Sequence, residues 1–344
     1  MKRKRKRKRT PLFRRQSTPE FIRMLTIEQI REAHERIKPH VHRTPVMTSR
    51  SFDEAVSRDT PRRVFFKCEN LQRTGSFKFR GATNRILSLT DEERRRGVAA
   101  FSSGNHAQAV ALAAREARVR SSIVMPSDAP QSKVIATRGY GAEVIFYDRQ
   151  REDREEVARR VAEREGSVLV PPFDDYAIMA GQGTCALELL EEAPELDCIV
   201  VPCSGGGLFA GVSTAARAVS SETRCFPVEP ETADDTRQSF RKGERVVIAP
   251  PPTIADGLRV VTPGRLTFPI LQRLATDVLT VSDEEITATL RFILFRMKLL
   301  VEPSGATAAA AVLSQKLPTD ARRIGVVLSG GNVDPGVLAQ LLAE

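Results

Sequence analysis

The chain has 344 residues, 41% hydrophobic and 28% charged, enough for one large domain or two intimate ones. Its formal charge of +10 sits in the first fifteen residues, MKRKRKRKRTPLFRR, which hold ten Lys/Arg and no acid. The body is therefore neutral, with no global field to attract nucleic acid, and no run approaches the ~18 unbroken apolar residues of a membrane helix.

Alternating Lys and Arg repel one another, so residues 1–23 are expected to form a disordered basic tail. That tail is the only segment suited to nucleic acid, and no apolar stretch of a secretory signal follows it. Thr26 and Gln29 form a capping-box pair opening a helix over Ile27–Ile37. Strands are expected at Val64–Glu69, Val98–Ser102, Ser122–Pro126, Glu143–Tyr147, Val168–Val170, Cys198–Pro202, Cys225–Val228, Val278–Val281 and Ile324–Leu328. Amphipathic segments lie between them, among them Ala107–Arg115, Glu152–Glu165, Leu208–Val219 and Glu284–Leu299. This alternation predicts an α/β architecture with mostly parallel sheets covered on both faces. The cysteines, Cys68, Cys185, Cys198, Cys203 and Cys225, lack CxxC spacing and lie mostly in apolar strand-like runs. They suit a reducing cytoplasm rather than disulfides or zinc.

In such folds ligands bind beyond the carboxyl ends of strands, where glycine-rich turns open helices. Four segments fit. Thr74–Gly81 (TGSFKFRG) sets Lys78 between two phenylalanines, in a chain with only seven lysines outside the tail. Aromatic neighbours would desolvate its ammonium and lower its pKa, as a Schiff-base lysine requires. Ser102-Ser103-Gly104-Asn105-His106 follows a strand and opens a helix, a place suited to a carboxylate. Ser204–Gly207 exposes backbone N–H groups to an anion such as phosphate; equally, Gly205-x-Gly207-x-x-Ala210 with Glu229 satisfies a dinucleotide fingerprint and leaves a nicotinamide oxidoreductase open. Ser329-Gly330-Gly331-Asn332 closes the last expected strand.

Taken together, SFKFRGA, SSGNHAQA, AGQGT (180–184), SGGGL, TIADGL (253–258) and SGGN occur in the order seen in fold-type-II pyridoxal-phosphate enzymes. The chain resembles their threonine/serine dehydratase and serine racemase group over roughly residues 25–335. The resemblance overrides the dinucleotide reading, which leaves the lysine motif and SGGN unexplained. It implies a tryptophan-synthase-β-like fold of two open, twisted, mostly parallel sheets covered by helices. A large cofactor-binding domain would comprise 24–97 and 176–344, and a small domain, 98–175, would close over substrate.

The resemblance further implies that Lys78 carries pyridoxal 5'-phosphate with Phe77 alongside the ring, and that Asn105 bonds the ring hydroxyl. Gly205, Gly206, Gly207 and Leu208 would hold the phosphate and Ser329 would face the ring nitrogen. The substrate carboxylate would dock on Ser102, Ser103, Gly104, Asn105 and His106. The implied reaction is β-elimination on L-threonine or L-serine to a 2-oxo acid and ammonia, with Lys78 as base. Ser103 stands where serine racemases place a second acid/base, so serine racemase and threo-3-hydroxyaspartate ammonia-lyase are the alternatives. Phe173-Asp174-Asp175 looks like the dehydratase pattern. Glu229, Ala233 and Asp235 match a divalent-cation site, whose oxygen ligands suit Mg²⁺, Mn²⁺ or Ca²⁺. Relatives are homodimers or homotetramers, and a cytoplasmic amino-acid-metabolising enzyme is expected.

Overall fold

The computed structural model describes residues 24–343, so the expected basic tail lies outside the described residues. Thr26 and Gln29 cap the helix Ile27–Ile37 reciprocally, side chain to backbone in both directions. The strands are β1 (Val46–Met47), β2 (Arg63–Cys68), β3 (Val98–Phe101), β4 (Ser121–Pro126), β5 (Glu143–Tyr147), β6 (Val168–Leu169), β7 (Cys198–Pro202), β8 (Arg224–Pro230), β9 (Leu279–Val281) and β10 (Arg323–Leu328). Six of them form a sheet in the order β1-β2-β10-β7-β8-β9, parallel except for β1. The other four form an all-parallel sheet, β5-β4-β3-β6.

Both sheets are covered on both faces, which explains the unbroken apolar runs of their strands. Successive residues point to opposite sides. Val64, Phe66, Cys68, Val200 and Val326 pack with the alanine-rich helix Pro303–Leu313. Phe65, Ile199, Val201 and Val327 pack with the helices Tyr176–Glu192 and Gly207–Val219. In the smaller sheet Val98, Ala100, Ile123 and Met125 meet the helices Lys78–Leu87 and Asn105–Glu116, while Ala99, Phe101 and Val124 meet Arg154–Glu165.

Several expected boundaries move. Glu69 leaves the strand for a 3₁₀ turn, Glu69–Leu71, and sends its carboxylate to Arg80. Asn105 and His106 are already helical, forming the first turn of Asn105–Glu116. The helix expected over Glu284–Leu299 is α-helical only over Asp283–Phe292; it widens into a π turn, Ile293–Met297, and stops at Lys298, where φ is 60°. The two-residue strand β1 escapes sequence reading because it is too short to show alternation. None of the described helices is long and apolar enough to cross a membrane.

Strand order positions the site. β2, β10 and β7 are neighbours and run parallel, so the lysine segment, Ser329 and the glycine turn all emerge at one edge. β3 of the smaller sheet delivers Ser102–His106 to the same place.

Candidate active site

One cleft between the two sheets is lined by Phe77, Lys78, Ser102–His106, Ser204–Leu208 and Ser329. Lys78 is the first residue of its helix and half-buried; its Nζ donates to the Pro172 carbonyl at 2.7 Å and lies 5.1 Å from the Phe77 ring centre. Burial, and then the charge of Arg154, lower its pKa to about 8. Phe79 takes no part in this desolvation. One helical step turns it into the core of the smaller sheet, beneath Arg73.

The glycine turn ends β7. Gly206 has a φ of 88°, and the Gly205 carbonyl is tied back by the Thr267 hydroxyl at 2.6 Å and the Gly264 N–H at 3.2 Å. That leaves the N–H groups of the first turn of Gly207–Val219 without intrahelical acceptors, a ready cradle for phosphate. The Ser204 hydroxyl is buried without a partner among the described residues, a second sign of a polar group to come.

Across the cleft, the Gly104 N–H donates to the Ser102 hydroxyl at 3.1 Å and tightens the turn. Asn105 is held on both sides: its Nδ2 donates to Glu302 Oε1 at 2.6 Å and its Oδ1 accepts from Asn332 Nδ2 at 2.8 Å. His106 Nε2 lies 3.0 Å from the Val170 carbonyl and must carry the hydrogen, since a carbonyl only accepts. Burial and Lys78 drop its pKa to about 3, so the ring is neutral and not an acid. Ser103 lines the cleft half-buried. Ser329 is buried, and its carbonyl accepts the Phe77 N–H at 3.1 Å, tying β10 to the lysine segment.

Sequence reading missed Lys133, Arg154, Asp256 and Glu302, all of which line the same cleft. Lys133 and Asp256 form a 2.8 Å ion pair between helix Gln131–Gly139 and the 3₁₀ turn Asp256–Leu258. Arg154, at the start of an arginine-rich helix, has no ion-pair partner among the described residues and stacks loosely on Phe101. Nothing in its segment distinguishes it from neighbouring arginines. Glu302 did leave a signal: it is the lone charge in the run Leu299–Leu313.

Glu229, Ala233 and Asp235 lie outside the cleft lining, behind the glycine turn. Thr236 connects the two, its hydroxyl donating to the Ser204 carbonyl at 3.4 Å. Glu229 is fully buried and accepts backbone N–H groups of Thr236 at 3.1 Å and Arg237 at 3.0 Å, so it offers a cofactor ribose nothing and the dinucleotide reading fails here. Both carboxylate oxygens of Asp235 are buried without a partner among the described residues. Burial and Asp235 drive the Glu229 carboxyl well above its usual range; burial and Asp234 push Asp235 up to about 8. Two neighbouring buried acids, one of them with both oxygens unpaired among the described residues, fit a hard cation. Among the described residues no three His, Cys, Asp or Glu side chains gather around a potential ion, so two carboxylates would need the Ala233 carbonyl and water to complete the shell.

The chain is 46% identical over 319 residues to the serine racemase of Schizosaccharomyces pombe, covering 93% of this chain and 98% of that one. It is 48% identical over 311 residues to an L-threo-3-hydroxyaspartate ammonia-lyase of Pseudomonas sp, covering 90% and 96%. Among solved structures, maize serine racemase superimposes with a TM-score of 0.88 at 45% identity, covering 93% of this chain and 98% of that chain. The family described as pyridoxal-phosphate dependent enzyme matches residues 37–330, a span that contains every residue lining the cleft. The chain belongs to that family of pyridoxal-phosphate dependent enzymes.

Proposed function

We propose that the chain is an ammonia-lyase for 3-hydroxy amino acids: β-elimination of water from L-threonine or L-serine gives an enamine, whose imine tautomer takes the water back on hydrolysis, so the net products are a 2-oxo acid and ammonia. The observation that carries this reading is the Lys78 amine, held by the Pro172 carbonyl at 2.7 Å beside the Phe77 ring, in the same cleft as the Ser204–Leu208 backbone N–H cradle and the Ser102–His106 turn. When bound, pyridoxal phosphate supplies an amine-reactive carbonyl and an electron-withdrawing ring that acidifies the Cα–H bond. Gly205, Gly206, Gly207 and Leu208 hold its phosphate, Asn105 its ring oxygen, and Ser329 its ring nitrogen, with Phe77 beside it. Ser329 is a neutral partner, so the ring nitrogen is not held protonated as a carboxylate would hold it. Ser102, Ser103, Gly104 and the N–H groups of Asn105 and His106 take the substrate carboxylate at a positive helix end. Lys78, partly neutral at physiological pH, removes the Cα proton. The region 98–175 acts as a closing lobe, with Lys133 and Asp256 meeting across the cleft mouth. Behind the cradle, Glu229, the Ala233 carbonyl and Asp235 hold Mg²⁺, Mn²⁺ or Ca²⁺ and stiffen the glycine turn through Thr236. Five buried free thiols fit a reducing cytoplasm, and the enzyme works as a homodimer or homotetramer.

Borohydride reduction followed by peptide mapping tests the core of this reading: the label must fall on Lys78. Label elsewhere, or none, would overturn it. Arg154 favours a second reading, because a guanidinium at the cleft wall with no ion-pair partner among the described residues suits a substrate with a second carboxylate. Release of 2-oxo acid from L-serine, L-threonine and the threo-3-hydroxyaspartates separates the two. Selective collapse of hydroxyaspartate turnover in Arg154→Ala would establish the diacid. Ser103, sharing the cleft with Lys78, makes racemisation of serine the third activity to measure; Ser103→Ala should lower the ratio of racemisation to elimination, and an unchanged ratio would remove its second-face role.

A further inference from the structure

Glu302 is 4% exposed and stands at the N-cap of helix Pro303–Leu313, yet its side chain makes no capping bond. It turns instead to Asn105, 2.6 Å away. The backbone is built to allow this. The Glu302 N–H donates to the Gly330 carbonyl at 3.1 Å, and the carboxylate lies over Gly330, where any Cβ would collide with it.

The chain of bonds also fixes which end of the Asn105 amide is which. Asn332 faces the Thr74 carbonyl at 2.6 Å, and a carbonyl only accepts, so the facing atom is the Asn332 nitrogen. The same nitrogen lies 2.8 Å from Asn105, which must offer its oxygen there. The Asn105 nitrogen is thereby left to Glu302, with one hydrogen spent on Oε1 and the second free for the cleft. Burial and Asp256 push the Glu302 carboxyl up to about 8, against the pull of Asn105 and Lys133, and Oε1 accepts in either protonation state.

We propose that Glu302 is a positioning residue: it holds the Asn105 amide so that its second hydrogen is presented to the ring oxygen of pyridoxal phosphate, while Asn332 fixes the same amide from the opposite side. This rests on the reading of the cleft as the cofactor site. Loss of the positioning bond should accelerate cofactor release.

The test follows cofactor release from the holoenzyme, as loss of visible absorbance after dilution, in a double-mutant cycle. Glu302→Ala and Asn105→Ala should each speed release about tenfold, the worth of roughly one hydrogen bond. The double variant should release no faster than Asn105→Ala alone, because Glu302 acts through that amide. Glu302→Gln keeps an Oε1 acceptor and should restore most of the retention. Additive losses, or a glutamine variant as leaky as the alanine one, would overturn the proposal. If Glu302→Ala is insoluble, Gly330→Ala takes its place by crowding the carboxylate; undiminished retention there overturns the proposal too. Absence of borohydride label on Lys78 in the parent brings down the cofactor reading and this proposal together, whereas label with additive variants removes Glu302 alone.

Discussion

Arg80 and Asp235 are both fully buried, yet their surroundings are opposite. Arg80 meets Glu69 through Nε at 2.8 Å and Nη2 at 2.9 Å, and Glu188 through Nη1 and Nη2, both at 2.8 Å. Lys67 joins Glu188 at 2.6 Å and also donates to the Thr44 carbonyl at 2.5 Å. Two cations face two anions, and the cluster ties β2, the helix that begins with Lys78, and helix Tyr176–Glu192 together. Burial alone would raise the Glu188 carboxyl; Arg80 and Lys67 reverse that and hold it low. Around Asp235 the second carboxylate, Glu229, accepts backbone N–H groups of Thr236 and Arg237, and no cation offsets either acid among the described residues. Burial cost is the same physics in both places. The first cluster is electrostatically complete and serves the fold, while the second holds two acids with no compensating cation among the described residues, which is the opening the proposed cation site would fill.

The comparison breaks most visibly at Arg80. Arg80→Met leaves two buried carboxylates facing one lysine and should destabilise the protein by about 3–5 kcal/mol, read from urea unfolding. A loss below about 1 kcal/mol would mean that the cluster is not closed. Next comes the acidic pair. At a hundredfold excess over its dissociation constant, Mg²⁺ or Mn²⁺ should add about 2.7 kcal/mol of stability, removed again by chelator and visible in the thermal midpoint. Asp235→Asn should abolish that response. A midpoint indifferent to both cation and chelator would make the pair a protonated hydrogen-bonding device instead.

Much of this was legible from residue order alone. Apolar runs with helical spacers announce parallel sheets, and glycine- and serine-rich turns at strand ends announce the cleft. What escaped is whatever depends on long-range pairing. Arg80 sits in the quoted lysine motif, but its partners Glu69 and Glu188 come from sequence positions 11 and 108 residues away. Arg154 belongs to a helix whose pattern is that of any solvated surface, and only the placement of β3 beside it turns its first residue toward the cleft. Phe79 shows the opposite failure. Adjacency in the chain suggested that it shields the lysine, whereas helical rotation carries it away. Glu302 was readable in principle as a lone acid in a buried run; without knowing that Gly330 leaves room for it, its target was not.

The smallest effect concerns Lys78, a half-buried cation with a backbone carbonyl as its bonded partner, and therefore a mirror image of Asp235. In protein freed of cofactor, burial and Arg154 lower its pKa from 10.5 to about 8. Between those two values the unfolded chain still holds the proton that the folded chain has released, so stability must rise with pH across the window. The sign is opposite to that of a lysine gaining a carboxylate partner. Solvent screening at the cleft mouth keeps the effect small, and other groups that titrate there are common to parent and variant. The clean measurement is thus a difference: the shift in unfolding midpoint from pH 8 to pH 10 should be more positive in the parent than in Lys78→Met. Equal shifts in the two proteins would mean that the amine titrates normally, and the cleft would lose the feature that makes it basic enough to take a proton yet neutral enough to be free for it.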